Sequence, residues 1–198
     1  MDPKLDIPRG DFAGYIFDLD GTLIDTMPLH YQAWDRAFRS RGLVGPLDED
    51  LFYSLGGVPT RRVAELIAER YALTIDPHEV FEHKESLFGE LQADAQVIGP
   101  TVEFARRVAA THPVAIASGG PRTVVHRSLE ITGLAALFPV VVTADDVEHG
   151  KPAPDMFLLA AERMGVPPAL CLVFEDAEPG MRAAEAAGMR WVKVASRP

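Results

Sequence analysis

Leu170-Cys171-Leu172-Val173-Phe174-Glu175-Asp176 is a run of five apolar residues followed at once by two carboxylates. A short apolar run rich in β-branched and aromatic side chains reads as a strand buried on both faces. Working outward, Tyr15-Ile16-Phe17, Val114-Ala115-Ile116-Ala117, Val140-Val141-Val142 and Trp191-Val192-Lys193-Val194 have the same character. Between them, segments 101–110, 121–131, 154–164 and 179–187 carry apolar residues at helical spacing. Gly133, Gly165 and Gly188 stand where such helices should stop. This alternation predicts an α/β fold with a parallel sheet.

Segment 28–95 breaks the alternation. Its stretches 31–41, 60–71 and 77–91 all read as helices, so the expected organisation is a core of 1–27 and 96–198 with an inserted helical lobe of 28–95. At 198 residues, 47% hydrophobic and 24% charged, the chain fits an ordinary globular protein. It has no apolar run long enough to span a bilayer. A net charge of −10 argues against nucleic acid as a partner, because phosphate backbones are gripped by clustered Lys and Arg. A small anion in a cleft needs only a few local cations. The single cysteine, Cys171, lies inside an apolar run and reads as a buried structural thiol. The first residues carry no secretion-like apolar segment, so a cytoplasmic protein is expected, and a monomer.

In open parallel sheets ligands bind beyond the carboxyl ends of the strands. The first strand ends in Asp18-Leu19-Asp20-Gly21-Thr22, with carboxylates at i and i+2 on one side of an extended chain. A shared hard cation such as Mg²⁺ would relieve their repulsion; an ordinary Asp-Gly turn is the plainer alternative. The second ends at Ser118-Gly119-Gly120, a hydroxyl and open amides that suit phosphate oxygens or a simple helix cap. After the third comes Gly150-Lys151-Pro152-Ala153-Pro154-Asp155, a lysine in a rigid loop. It is not a P-loop, since the upstream glycine spacing is absent and proline follows the lysine. The fourth ends at Glu175-Asp176, and a carboxylate pair abutting a buried strand is costly without a cation.

These four ends together resemble the four motifs of the haloacid dehalogenase superfamily, matched by Asp18-Leu19-Asp20-Gly21-Thr22, Ser118, Lys151 and Glu175-Asp176 over nearly the whole chain. The resemblance implies a three-layer, Rossmann-like core with a helical cap. It implies Asp18 as the nucleophile that forms an aspartyl phosphate and Asp20 as acid and base. It implies Mg²⁺ held by Asp18, the Asp20 carbonyl, Glu175 and Asp176, and Lys151 offsetting charge on the other side. Ser118 and main-chain amides near Leu19 and Gly119 are then donors to phosphate oxygens. In the cap, His30 matches a histidine that positions Asp20 and substrate in related sugar-phosphate enzymes. Arg61, Lys84 and Arg122 are candidate substrate contacts, whereas Arg62 reads as a solvated charge and Trp34 as core.

The segments Gly56-Gly57-Val58-Pro59-Thr60, Asp76-Pro77-His78 and Val173-Phe174-Glu175-Asp176-Ala177 resemble bacterial fructose-1-phosphate phosphatases, sisters of β-phosphoglucomutase. Gly56 and Pro59-Thr60 stand where the mutase has cap cations for a second phosphate. The expectation is therefore a Mg²⁺-dependent phosphatase of small sugar phosphates. The mutase is the alternative reading and a catalytically inactive sugar-phosphate-binding protein the non-enzyme one. A true dehalogenase would leave Asp20 no alcohol to protonate, and a phosphoacceptor switch would need neither Asp20 nor a cap.

Overall fold

The computed structural model describes residues 5–55, 58 and 60–195. The chain divides into two compact units, Met1–Asp25 with Ala95–Pro198, and Thr26–Asp94.

The first unit is built on a parallel five-stranded sheet. Its strands are β1 (Gly14–Phe17), β4 (Val114–Ala117), β5 (Val140–Val142), β6 (Cys171–Glu175) and β7 (Arg190–Lys193), in the order β5-β4-β1-β6-β7. Tyr15 pairs with both Val114 and Leu172, and Phe17 with both Ile116 and Phe174. This register brings the ends of β1, β4 and β6 to one edge of the sheet. The connecting helices are α5 (Gly99–Ala109), α6 (Arg122–Ile131), α7 (Asp155–Met164) and α8 (Glu178–Ala186).

Strand residues alternate between two faces. Ile16, Ala115, Ala117, Val142 and Val173 pack with Met156, Phe157, Ala160 and Ala161 of α7 and with Ala183 and Ala184 of α8. On the other face Phe17 stacks on Phe174, ring centroids 4.7 Å apart, and Phe104 of α5 lies 4.8 Å from Phe174. Helix, sheet and helix make the three layers expected. Cys171 is fully buried and burial pushes its thiol up to about 11, so it is an inert core residue. Two short strands, β2 (Ile24–Asp25) and β3 (Gln96–Val97), pair antiparallel where the chain leaves and rejoins this unit. Two-residue strands carry too little periodicity for the sequence to announce them.

The second unit contains α1 (Met27–Arg39), α2 (Glu49–Ser54), α3 (Thr60–Arg70) and α4 (Pro77–Leu91). Helix α1 begins four residues before the expected 31, with Pro28 in its first turn, where a missing amide is harmless. Helix α2, six residues long and capped by the Asp48 side chain on the Leu51 amide, is too short to show a face in the sequence. Trp34, Phe38, Phe52, Val63, Ile67 and Val80 form the unit's apolar core, Trp34 with 2% exposure. Gly56 and Pro59, which bear on the mutase alternative, lie outside the described residues. No described helix is long and apolar enough to cross a membrane.

Candidate active site

Asp18 follows β1 and donates its amide to the Phe174 carbonyl at 2.9 Å, the last rung between β1 and β6. The chain then turns sharply. The amides of Leu23 and Ile24 donate to the Leu19 carbonyl at 2.9 and 3.0 Å, and Gly21 adopts φ +85°. Only glycine takes that backbone cheaply, and a Cβ there would collide with the Asp176 carboxylate. Asp176 therefore lies directly against the turn that carries Asp18 and Asp20. Leu19 itself is 1% exposed, so its side chain belongs to the core and only its main chain is offered to a ligand.

At the end of β6, Glu175 is 2% exposed and Asp18 6%. Lys151 ties them together, its Nζ donating to Asp18 Oδ1 at 2.6 Å and to Glu175 Oε2 at 2.7 Å. The other Glu175 oxygen accepts from the Ala177 amide at 3.2 Å. Helix α8 presses on the same carboxyl, since a Cβ on Gly180 would overlap it. Ser118 is fully buried after β4, donating its amide to the Val142 carbonyl at 2.9 Å. Its hydroxyl accepts from the Gly120 amide at 3.1 Å and faces Asp20 Oδ2 at 3.5 Å. Gly119, between them, is exposed.

One ligand oxygen each from Asp18, Glu175 and Asp176 lies within 4.8 Å of the other two. Burial, and then repulsion from Glu175, pushes the Asp18 carboxyl well above the usual carboxylate range. The same causes raise Asp176 to about 7. Burial disfavours the Lys151 ammonium, but the Asp18 and Glu175 carboxylates outweigh it and hold the charge firmly. One ammonium cannot balance the surrounding carboxylates. Hard carboxylate oxygens gathered without enough positive charge fit a divalent cation bound through oxygen. The cluster can also present an Asp18 oxygen to an electrophile while Ser118 and Lys151 hold an anion beside it.

The remaining expected residues have the following local surroundings. In the helical unit His30 stacks on Phe88, centroids 3.8 Å apart. Lys84 is 2% exposed, paired with Glu85 at 2.7 Å, with its ammonium 5.0 Å from the Phe88 ring centre and 5.6 Å from that of Trp34. The Arg61 guanidinium lies 5.5 Å over Phe81, and Arg62 pairs with Glu65 and Glu69 in solvent. Arg122, in the first turn of α6, gives its guanidinium to Asp146 at 2.9 Å. Sequence reasoning passed over Gly21 and Gly180 as packing partners of the acids, and over Asp146. The one available signal for Asp146 was the spacing of Thr143 and Asp146, an N-terminal box in which each caps the other.

A haloacid dehalogenase-like hydrolase family model matches residues 12–188, spanning every residue of the acidic cluster. The chain is 40% identical over 183 residues to the fructose-1-phosphate phosphatase YqaB of Escherichia coli, covering 92% of this chain and 96% of that protein. It is 34% identical over 180 residues to a phosphorylated carbohydrates phosphatase of Thermotoga maritima, covering 88% and 81%. Among solved structures, a family IA, variant 3 hydrolase from Entamoeba histolytica superposes with a TM-score of 0.80 at 30% identity, covering 93% of this chain and 84% of that one. With this fold, these strand-end residues and these relatives, the chain belongs to the haloacid dehalogenase-like hydrolases and is a phosphoric monoester hydrolase.

Proposed function

We propose that the protein is a Mg²⁺-dependent phosphatase of small sugar phosphates, fructose 1-phosphate or a similar hexose phosphate, working through an aspartyl phosphate on Asp18. The observation that carries this is the Lys151 ammonium bridging Asp18 and Glu175 inside a buried carboxylate cluster. A lysine so placed leaves Asp18 oriented and short of compensating charge. The sugar phosphate follows from the two phosphatase relatives.

Asp18 attacks phosphorus through a carboxylate oxygen, and the phosphorus to sugar-oxygen bond breaks. Asp20 gives its proton to the departing oxygen. Asp20 then takes a proton from water, whose oxygen attacks phosphorus, and the bond to Asp18 breaks to release phosphate. Such proton transfers are worth roughly 10²–10⁴-fold. The Ser118 hydroxyl, with the amides near Leu19 and Gly119, donates to equatorial phosphoryl oxygens, and Lys151 offsets their charge. Asp18, the Asp20 carbonyl, Asp176 and Glu175 would hold Mg²⁺, which when bound would supply charge neutralisation at the phosphoryl group. His30, Arg61 and Lys84 are the proposed contacts to the sugar.

Phosphate release from a sugar-phosphate panel, with and without Mg²⁺, tests the reading. Mg²⁺-dependent release from fructose 1-phosphate or a close analogue is the expected result. Conversion of β-glucose 1-phosphate to glucose 6-phosphate, primed by glucose 1,6-bisphosphate and with little free phosphate, would make the protein a mutase instead.

A further inference from the structure

Strands β4 and β5 are neighbours, and the loops that follow them carry Ser118 and Lys151. The sheet holds these loops together only briefly. Ser118 donates its amide to the Val142 carbonyl, and Ala144 donates its own to the Gly120 carbonyl at 3.2 Å. Beyond that rung the chains diverge, one into α6 and the other through 143–154 to α7. The neighbouring carboxylates of Asp145 and Asp146 span the gap, and Asp146 takes most of the bonds. Asp146 Oδ2 accepts from the Thr143 amide at 2.9 Å and the Thr143 hydroxyl at 2.8 Å. Its Oδ1 accepts from Arg122 at 2.9 Å and from Arg163 at 2.8 Å. Arg163, on α7, also reaches the Val141 carbonyl at 3.1 Å, and the Arg122 amide donates to Asp145 at 2.7 Å.

Exposed ion pairs contribute little, but the Asp146 side chain is only 5% exposed. Each of its bonds to a guanidinium is charge-assisted. Burial alone would push the acid up, yet the donors outweigh it and hold Asp146 well below the ordinary carboxylate range. The carboxylate is thus ionised and fully used. It fastens the start of α6, the end of β5 and the last turn of α7 at one point. Lys151 lies within the segment closed by that point, five residues beyond Asp146, and must keep its ammonium at 2.6 and 2.7 Å from two separate carboxylates.

We propose that Asp146 is a positioning residue for the hydrolytic reaction, yoking the Ser118 loop to the Lys151 loop through Arg122 and Arg163. It touches no reacting atom. Arg122 acts with it as a brace and not as the substrate contact its place in the sequence suggested. The proposal rests on Ser118 and Lys151 serving the phosphoryl group as described above.

The test compares wild type with Asp146→Ala, Asp146→Asn, Arg122→Ala, the Asp146→Ala/Arg122→Ala double variant and Lys151→Ala. Turnover of fructose 1-phosphate, or of whichever panel member is hydrolysed, is measured with Mg²⁺ well below each variant's melting temperature. Misplacement of a catalytic group by about 1 Å costs on the order of 10²-fold, so Asp146→Ala should lower kcat about 10–100-fold. KM should stay within about threefold, the pattern of lost transition-state contacts. Asp146→Asn, which keeps an acceptor oxygen, should lose less, and Arg122→Ala should add little on the Asp146→Ala background. Normal kcat in Asp146→Ala with only a lower melting temperature would overturn the proposal. So would Arg122→Ala raising KM at constant kcat, which marks a substrate contact. Should Asp146→Ala not fold, Asp146→Asn and Arg122→Ala decide alone. Full turnover by Lys151→Ala would instead remove the site assignment on which the proposal stands.

Discussion

Two groups of buried acids lie beyond strands of the same sheet and behave in opposite ways. Beyond β5, Asp146 receives four donors, two of them arginines, and its pKa is driven down. After β1 and at the end of β6, Asp18 and Glu175 share the Lys151 ammonium with Asp176 close by, and the pKa values of Asp18 and Asp176 are driven up. Both arrangements bury carboxylates, so burial alone does not mark a functional site. What marks it is charge left uncompensated by the protein. The satisfied acid is a fastener, whereas the uncompensated acids could hold a cation that the chain does not supply.

If the uncompensated group is the reactive one, its nucleophile is where the largest loss should appear. Asp18→Asn should remove detectable phosphate release and abolish acid-quenched phosphoprotein from a ³²P-labelled substrate. A variant that still traps label would place the nucleophile elsewhere. Asp20→Asn should keep substrate binding close to wild type while turnover falls about 10²–10⁴-fold, the range for a lost general acid and base. Wild-type turnover in that variant would end its assignment.

A sharper probe leaves every acid in place. Gly180 is the third residue of α8, where alanine should otherwise favour the helix by up to about 1 kcal/mol. Its missing Cβ is space occupied by the Glu175 carboxyl. Gly180→Ala should therefore displace Glu175 and weaken Mg²⁺ binding about 10–100-fold by calorimetry, the usual cost of disturbing groups that orient ligands. Unchanged Mg²⁺ affinity would mean that Glu175 shifts freely, or is no ligand.

The contrast between the two acid groups was only half legible in the sequence. Asp18, Asp20, Ser118, Lys151, Glu175 and Asp176 could be found because each directly follows an apolar run or lies in a proline-braced loop after one. A parallel sheet gathers such positions at one edge whatever the intervening sequence. Asp146 is four residues past β5, and its partners are 17 and 24 residues away on two helices. No periodicity predicts that meeting. Gly180 reads as an ordinary helix residue until the side chain opposite is known. In the helical unit the apolar face of α1 and α4 was readable. That the Lys84 ammonium lies buried beside aromatic rings was not, because spacing gives a lysine's address on a helix but not its surroundings.

The smallest predicted effect separates the two groups by the sign of their pH dependence in metal-free protein. Asp146 has a folded pKa below its unfolded value, so its contribution is present above about pH 4 and fades only as pH falls further. Asp176 runs the other way. Its folded pKa is raised to about 7, so the folded state binds the extra proton between roughly pH 4 and 7. Stability from that source is full below the unfolded pKa and lost as pH rises through the folded one. Chelator-treated protein should therefore melt lower at pH 8 than at pH 5, and Asp176→Asn should narrow the difference, the rest coming from the raised Asp18. Mg²⁺ at about ten times its Kd should restore ~1.4 kcal/mol at pH 8, a rise of roughly 3–6 °C in Tm. At pH 5 the rise should be smaller, because the ligands must first release protons. Equal Mg²⁺ shifts at both pH values, with no change in Asp176→Asn, would show that the acids beyond β6 are compensated within the protein, as Asp146 is.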